Sequence, residues 1–137
     1  MSRSAKGKIA VRDTVLIVDD DGDVRSLITT VCEMNGIRVS EAADCSSALK
    51  VLAREHDRVR LVLLDYFMPG MEPIKCVNTV VDKAGTSIAV FLLTAADNTA
   101  ARAANLRVSG WLSKPFEVSR IAELFYAASF PQKEKKK

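Results

Sequence analysis

Three short stretches of the chain are apolar almost without interruption: VLIV at 15–18, RLVLL at 60–64 and IAVFLL at 88–93. They are continuous and rich in β-branched residues, so they predict strands covered on both faces. IRVSE at 37–41 and SGWLS at 109–113 mix apolar and polar positions and predict less buried strands of the same sheet. Between these runs the period lengthens. Val24, Leu27, Ile28 and Val31 recur on one helical face, and Asn35-Gly36 suits the stop that follows. Asp44 is placed to cap a second helix through Val51 and Leu52, and Pro73 suits the first turn of a third carrying Ile74, Val77, Val80 and Val81. A fourth, over residues 97–106, is alanine-rich and short of large apolar side chains, which makes it the loosest; Val118, Ile121, Leu124, Phe125 and Ala128 mark one side of a fifth. Five strands alternating with five helices imply right-handed crossovers and a doubly wound α/β fold, a parallel sheet with helices on both faces.

At 137 residues, with 48% hydrophobic and 27% charged positions, the chain has the size and composition of one globular domain. A core of this size needs neither disulfides nor a structural metal. Charge changes the picture more. The net charge is +3, yet Arg3, Lys6, Lys8 and Arg12 place +4 in residues 1–12, and four lysines with Glu134 place +3 in residues 131–137, leaving residues 13–130 at −4. The chain thus divides into a basic N-terminal tail (1–12), a folded domain (13–130) and a lysine-rich C-terminal tail (131–137). An acidic domain is a poor match to a phosphate backbone, so direct nucleic-acid binding by it is not expected. Residues 1–13 lack the apolar block of a signal peptide, and no run approaches the roughly 20 apolar residues of a membrane span, so a cytoplasmic protein without membrane contact is expected. Cys32, Cys45 and Cys76 are odd in number and show no CxxC or Cys/His spacing. They read as reduced thiols.

In a doubly wound sheet, ligands gather at the carboxyl ends of the strands. The residues there are Asp19, Asp20 and Asp21 after the first strand, Asp65 after the third, Thr94 after the fourth and Ser113-Lys114-Pro115 after the fifth. Carboxylates brought together repel one another unless a cation joins them. Oxygen-only ligands that leave room for water suit magnesium, with manganese the alternative, better than zinc. A carboxylate can attack phosphorus when the charge on the transferring group is neutralised, here by the metal, the Lys114 ammonium and the Thr94 hydroxyl with nearby N–H groups. A cis Lys114-Pro115 bond would aim the lysine into the crevice. Asp21 and Asp23 each read instead as a cap of the first helix or as a charge that favours its N-terminal dipole.

IVDDD, LVLLDYFMPGM, FLLTA and GWLSKPF, in that order, resemble the acidic pair, phosphoacceptor segment, switch threonine and lysine-proline signature of the receiver domains of bacterial two-component response regulators. Each motif alone is weak; four in order are specific, and the resemblance spans residues 13–128. It implies a flavodoxin-like sheet of order 2-1-3-4-5. By position, Asp65 would be phosphoacceptor and metal ligand, Asp20 a direct ligand, Asp19 a ligand through water and the main-chain carbonyl of Phe67 the remaining protein ligand. Thr94 and Lys114 would assist the transfer, and Thr94 with Trp111 would form the switch. No organic cofactor is implied. The family's phosphodonor is a sensor histidine kinase, a phosphotransfer protein or a small donor. Its output passes to a downstream target or effector domain through the face of the fourth helix, fifth strand and fifth helix; a second copy of the chain is a further candidate partner. Such a domain is a signalling phosphoacceptor that assists its own phosphorylation and dephosphorylation, not an enzyme for a separate substrate.

Four positions depart from the family pattern. Phe67 and Ala96 offer no polar group to orient an attacking water, which predicts slow self-dephosphorylation. Pro73 replaces the usual glycine and predicts a stiffer loop. Trp111 stands where tyrosine or phenylalanine is common, and its larger indole, with an N–H that wants a partner, limits inward rotation. Two other readings compete. A phosphatase of the haloacid dehalogenase class usually needs a second aspartate two residues after its nucleophile, a slot that Phe67 fills. A phosphorylation-independent interaction module would not need the intact acidic pair, acceptor, threonine and lysine.

Overall fold

The computed structural model describes residues 12–95, 107–114, 117 and 119–128. Five strands, β1 (Thr14–Val18), β2 (Arg38–Ala42), β3 (Val59–Asp65), β4 (Ala89–Ala95) and β5 (Gly110–Lys114), form one sheet in the order β2-β1-β3-β4-β5. Every neighbouring pair is parallel. The described helices are α1 (Gly22–Met34), α2 (Cys45–Glu55), α3 (Pro73–Ala84) and α4 (Ser119–Ala127). The helix expected over 97–106, Pro115, Val118, the C-terminal tail and all but Arg12 of the N-terminal tail lie outside the described residues.

The continuous apolar runs become strands because both of their faces are buried. Val15 and Ile17 of β1, with Leu61 and Leu63 of β3, pack against Ile28 and Cys32 of α1 and Ile121 and Phe125 of α4. The intervening Leu16, Val18, Val62 and Leu64 pack against Ala48 and Leu52 of α2 and Val77 and Val80 of α3. This alternation places helices on both faces, as expected, and each fully buried Val, Leu or Ile contributes about 1.5–3 kcal/mol of transfer free energy. Leu27 departs from expectation: it is 56% exposed, while Ile28 and Cys32 are the buried residues of α1. The inward stripe of α1 is narrower than the apolar pattern.

Local chemistry sets the helix ends. Asp21 accepts hydrogen bonds from the Asp23 and Val24 N–H groups, so it is the cap of α1, with Asp23 in the first turn. Asp44 caps α2 through the Ser47 N–H at 2.7 Å. Pro73 opens α3, where the Glu72 side chain makes no capping bond. Gly36, at φ 73°, turns the chain out of α1 in the left-handed region that glycine tolerates best.

The cysteines correct the sequence reading. Cys45 and Cys76 are joined in a disulfide, with their Cα atoms 6.1 Å apart, and only Cys32 remains a free, buried thiol. The pairing was hidden because the partners are 31 residues apart in sequence. They meet because α2 and α3 lie side by side on one sheet face and both begin near its carboxyl edge. Burial, with a smaller contribution from Glu33, pushes the Cys32 thiol up to about 11.

Candidate functional site

Strand parity brings three of the predicted site residues together, while Thr94 has the parity of Leu92, on the α2/α3 side. Asp19 follows Val18, and Asp65 and Lys114 end β3 and β5; counting alternate positions from Ile17, Leu63 and Leu112 puts all three on the α1/α4 side of the sheet. Single carboxylate oxygens of Asp19, Asp20 and Asp65 lie within 4.8 Å of one another. Lys114 reaches past β4 and sets its Nζ 3.0 Å from Asp19 Oδ2 and 3.6 Å from Asp65 Oδ1. Asp19 is fully buried, Asp65 nearly so, and Asp20 exposed.

Burial and register hold Asp19 at several points. Its N–H donates to the Ala42 carbonyl of β2 at 3.1 Å, its carbonyl accepts from Arg25 Nη1 at 2.7 Å, and its Oδ1 accepts from the Asp21 N–H at 2.9 Å. Beyond Asp65, the Tyr66 N–H donates to the Leu93 carbonyl at 2.9 Å and Tyr66 is buried, so the chain stays on the sheet for one more residue. Phe67 then turns outward, 52% exposed, with its N–H directed to the Asp65 carboxylate. Gly70, at φ 103°, permits the bend before α3.

The electrostatics follow from this packing. Burial raises the Asp65 carboxyl to about 6 and the Asp19 charge adds to the rise, against the opposing pull of Lys114 and the Phe67 N–H. For Lys114, burial alone would lower the proton affinity, but the hydrogen bond to Asp19 and the charges of Asp65 and Asp19 outweigh it and the ammonium is strengthened. Among the described residues, the Lys114 ammonium thus faces two of the three clustered carboxylates, Asp19 and Asp65. The donor set is oxygen only, which fits a hard divalent ion.

Thr94 supplies a second sign of an unfilled requirement. Its Oγ1 is buried and, among the described residues, is the buried side-chain polar atom without a hydrogen-bond partner. A buried hydroxyl without a partner costs stability, and a phosphoryl oxygen is the kind of acceptor that would satisfy it. Thr94 sits opposite Ser113 in the β4–β5 register, and Trp111, two residues before Ser113, lies on the same sheet face, 40% exposed. The two residues of the expected switch are therefore diagonal neighbours. Ala96 lies outside the described residues. Sequence reading did not find Arg25, whose side chain reaches the site's backbone from α1; no spacing motif announces that contact.

The chain is a doubly wound parallel α/β domain whose carboxyl edge carries an acidic cluster that could hold a metal ion, with the Lys114 ammonium beside it. A family model described as the response regulator receiver domain matches residues 15–126, and the chain belongs to that family. It is 32% identical over 109 residues to the response regulator MprA of Mycolicibacterium vanbaalenii, an alignment covering 78% of this chain and 46% of that protein. It is 29% identical over 110 residues to a probable transcriptional regulatory protein, TcrX, of Mycobacterium tuberculosis, covering 79% and 46%. The chain thus spans about half the length of these curated relatives. A CheY-like response regulator receiver domain protein from Methanospirillum hungatei superposes with a TM-score of 0.71 at 28% identity, covering 85% of this chain and 94% of that one. Among the described residues, no helix is long and apolar enough to cross a membrane.

Proposed function

We propose that Asp65 accepts a phosphoryl group in two-component signalling, and that the signal leaves through a changed surface around β5. The observation that carries this reading is the convergence of Asp19, Asp20 and Asp65 with the Lys114 ammonium at one rim of the sheet. A carboxylate oxygen of Asp65 forms the new bond to phosphorus. The bond from phosphorus to the donor's imidazole nitrogen breaks, and its electron pair stays with the imidazole. Lys114 neutralises charge on the group in transfer, and the Thr94 hydroxyl donates to one of its oxygens. Asp20, Asp65 and the Phe67 carbonyl would hold magnesium or manganese directly and Asp19 through water; bound there, the ion supplies positive charge to the acidic cluster and the incoming phosphoryl oxygens.

The donor is a sensor histidine kinase or phosphotransfer protein. The recipient is a downstream target, an effector domain or a second copy of the chain, met on the β5 side. Residues 13–130 form the receiver unit between two basic tails, in the cytoplasm, without direct nucleic-acid contact. The exposed, apolar Phe67 beside the acceptor supports slow self-dephosphorylation; a phosphorylated form lasting only seconds with magnesium present would contradict this.

Trp111 is the single tryptophan, so its fluorescence reports both site and switch. Magnesium with beryllofluoride, a phosphoryl mimic, is expected to change the emission of the wild type and to leave Asp65→Asn unchanged. A response that persists in the Asn variant would mean that the acceptor is another residue.

A further inference from the structure

We infer that Arg25 is a positioning residue for the metal-binding carboxylates, acting through the backbone rather than through charge. Its guanidinium, about a fifth exposed, spans two partners: Nη1 donates to the Asp19 carbonyl at 2.7 Å and Nε donates to Glu41 Oε1 at 3.0 Å. Glu41 lies in β2 opposite Ile17 of β1, and its other oxygen accepts from the Thr29 hydroxyl of α1 at 3.0 Å. A chain of polar contacts therefore runs from β2 through α1 to the end of β1.

The atom it holds matters. The Asp19 carbonyl belongs to the same rigid peptide plane as the N–H of Asp20, so fixing that oxygen fixes the direction in which Asp20 leaves the sheet. Asp19 has other restraints: burial, the Ala42 carbonyl, the Asp21 N–H and Lys114. Asp20 is the exposed member of the cluster and lacks the burial that holds the other two. Its placement depends on the plane that Arg25 pins. A planar guanidinium can serve two acceptors in fixed directions at once, whereas a lysine ammonium on a flexible stem does not reproduce that fork.

The inference rests on the site reading given above, and its sign separates it from simple electrostatics. Removing a positive charge near a divalent-ion site should tighten cation binding by Coulomb's law. Loss of positioning should weaken it, and loss of a group that orients a ligand typically costs tenfold or more in metal affinity. The measurement is the magnesium dissociation constant of the full chain, from Trp111 fluorescence and calorimetry, with thermal unfolding in chelator as a separate readout. Arg25→Ala is expected to weaken magnesium binding about tenfold, with Arg25→Lys between it and the wild type and Glu41→Gln weakened in the same direction. Binding that is unchanged within about twofold, or tighter, in Arg25→Ala overturns the inference. If that variant does not fold, Arg25→Lys, which keeps the charge and loses the fork, decides it: weaker magnesium binding supports the inference, and wild-type affinity overturns it. A wild type that binds no magnesium, or an Asp65→Asn variant that binds it as tightly as the wild type, would instead sink the site reading itself.

Discussion

Replacing Asp65 by asparagine should make the metal-free protein more stable at neutral pH, although it destroys the proposed acceptor. The carboxyl is buried beside Asp19, and its proton affinity rises from an ordinary 3.8 to about 6. Each factor of ten in proton affinity is worth about 1.4 kcal/mol, so ionising Asp65 in the folded chain costs up to about 3 kcal/mol. The exposed neighbour Asp20 leaves the site open to solvent screening, so about 1–2 kcal/mol is the expected net gain. The sign is set by linkage: the folded state holds the proton more tightly than the unfolded one. Wild-type stability therefore falls, relative to the variant, as pH rises from 3.8 through about 6, and the difference vanishes below 3.8. Urea titrations in chelator at several pH values read this directly. Magnesium should then reverse the ranking, because it stabilises the wild type by about 2.7 kcal/mol at a hundredfold excess over its dissociation constant. An Asn variant less stable than the wild type without metal at pH 7.5 (about neutral) would refute the reasoning.

Thr94→Val removes a buried hydroxyl that has no partner, so metal-free stability should rise by about 1 kcal/mol while the rate of phosphorylation falls; loss of stability in urea would count against the assignment. Gly110→Ala puts a methyl carbon 2.6 Å from the Phe91 ring and should cost about 1–3 kcal/mol, relieved when Phe91→Leu is added. Thiol titration of the denatured chain without reductant should find Cys32 alone and, after reduction, all three cysteines. Reduction should lower stability by about 3–4 kcal/mol through the 31-residue separation that the bond closes; three reactive thiols before reduction would contradict the pairing.

The sheet was legible because its central strands carry an unambiguous signal. Leu16 and Ile17, or Val62 and Leu63, are adjacent apolar residues that pack on opposite faces, and only a strand covered twice asks for that pattern. Observed strand ends moved by one or two residues, as at β2, which starts at Arg38 and ends at Ala42. Asp21, Asp44, Gly36 and Pro73 acted locally, so their roles at helix ends could be read from their neighbours. The acidic rim was legible for a related reason: parallel strands of one register bring their ends to one edge, so Asp19, Asp65 and Lys114 had to meet once the topology was right. What escaped were contacts between elements with no spacing rule. Cys45 meets Cys76 only through the packing of α2 on α3, and Arg25 reaches Asp19 only because α1 leans over the end of β1. Leu27 shows the opposite failure, an apolar residue at a helical spacing that the core does not use.

The central claim is that Asp65 is where phosphorus becomes attached. Intact-mass analysis after incubation with a small acyl phosphate donor and magnesium, followed by peptide mapping of the trapped adduct, tests it without intermediaries. One added phosphoryl group is expected, located at Asp65, dependent on magnesium and absent from Asp65→Asn. An adduct on Asp20 or Asp21, or one that forms equally in the Asn variant, would contradict it.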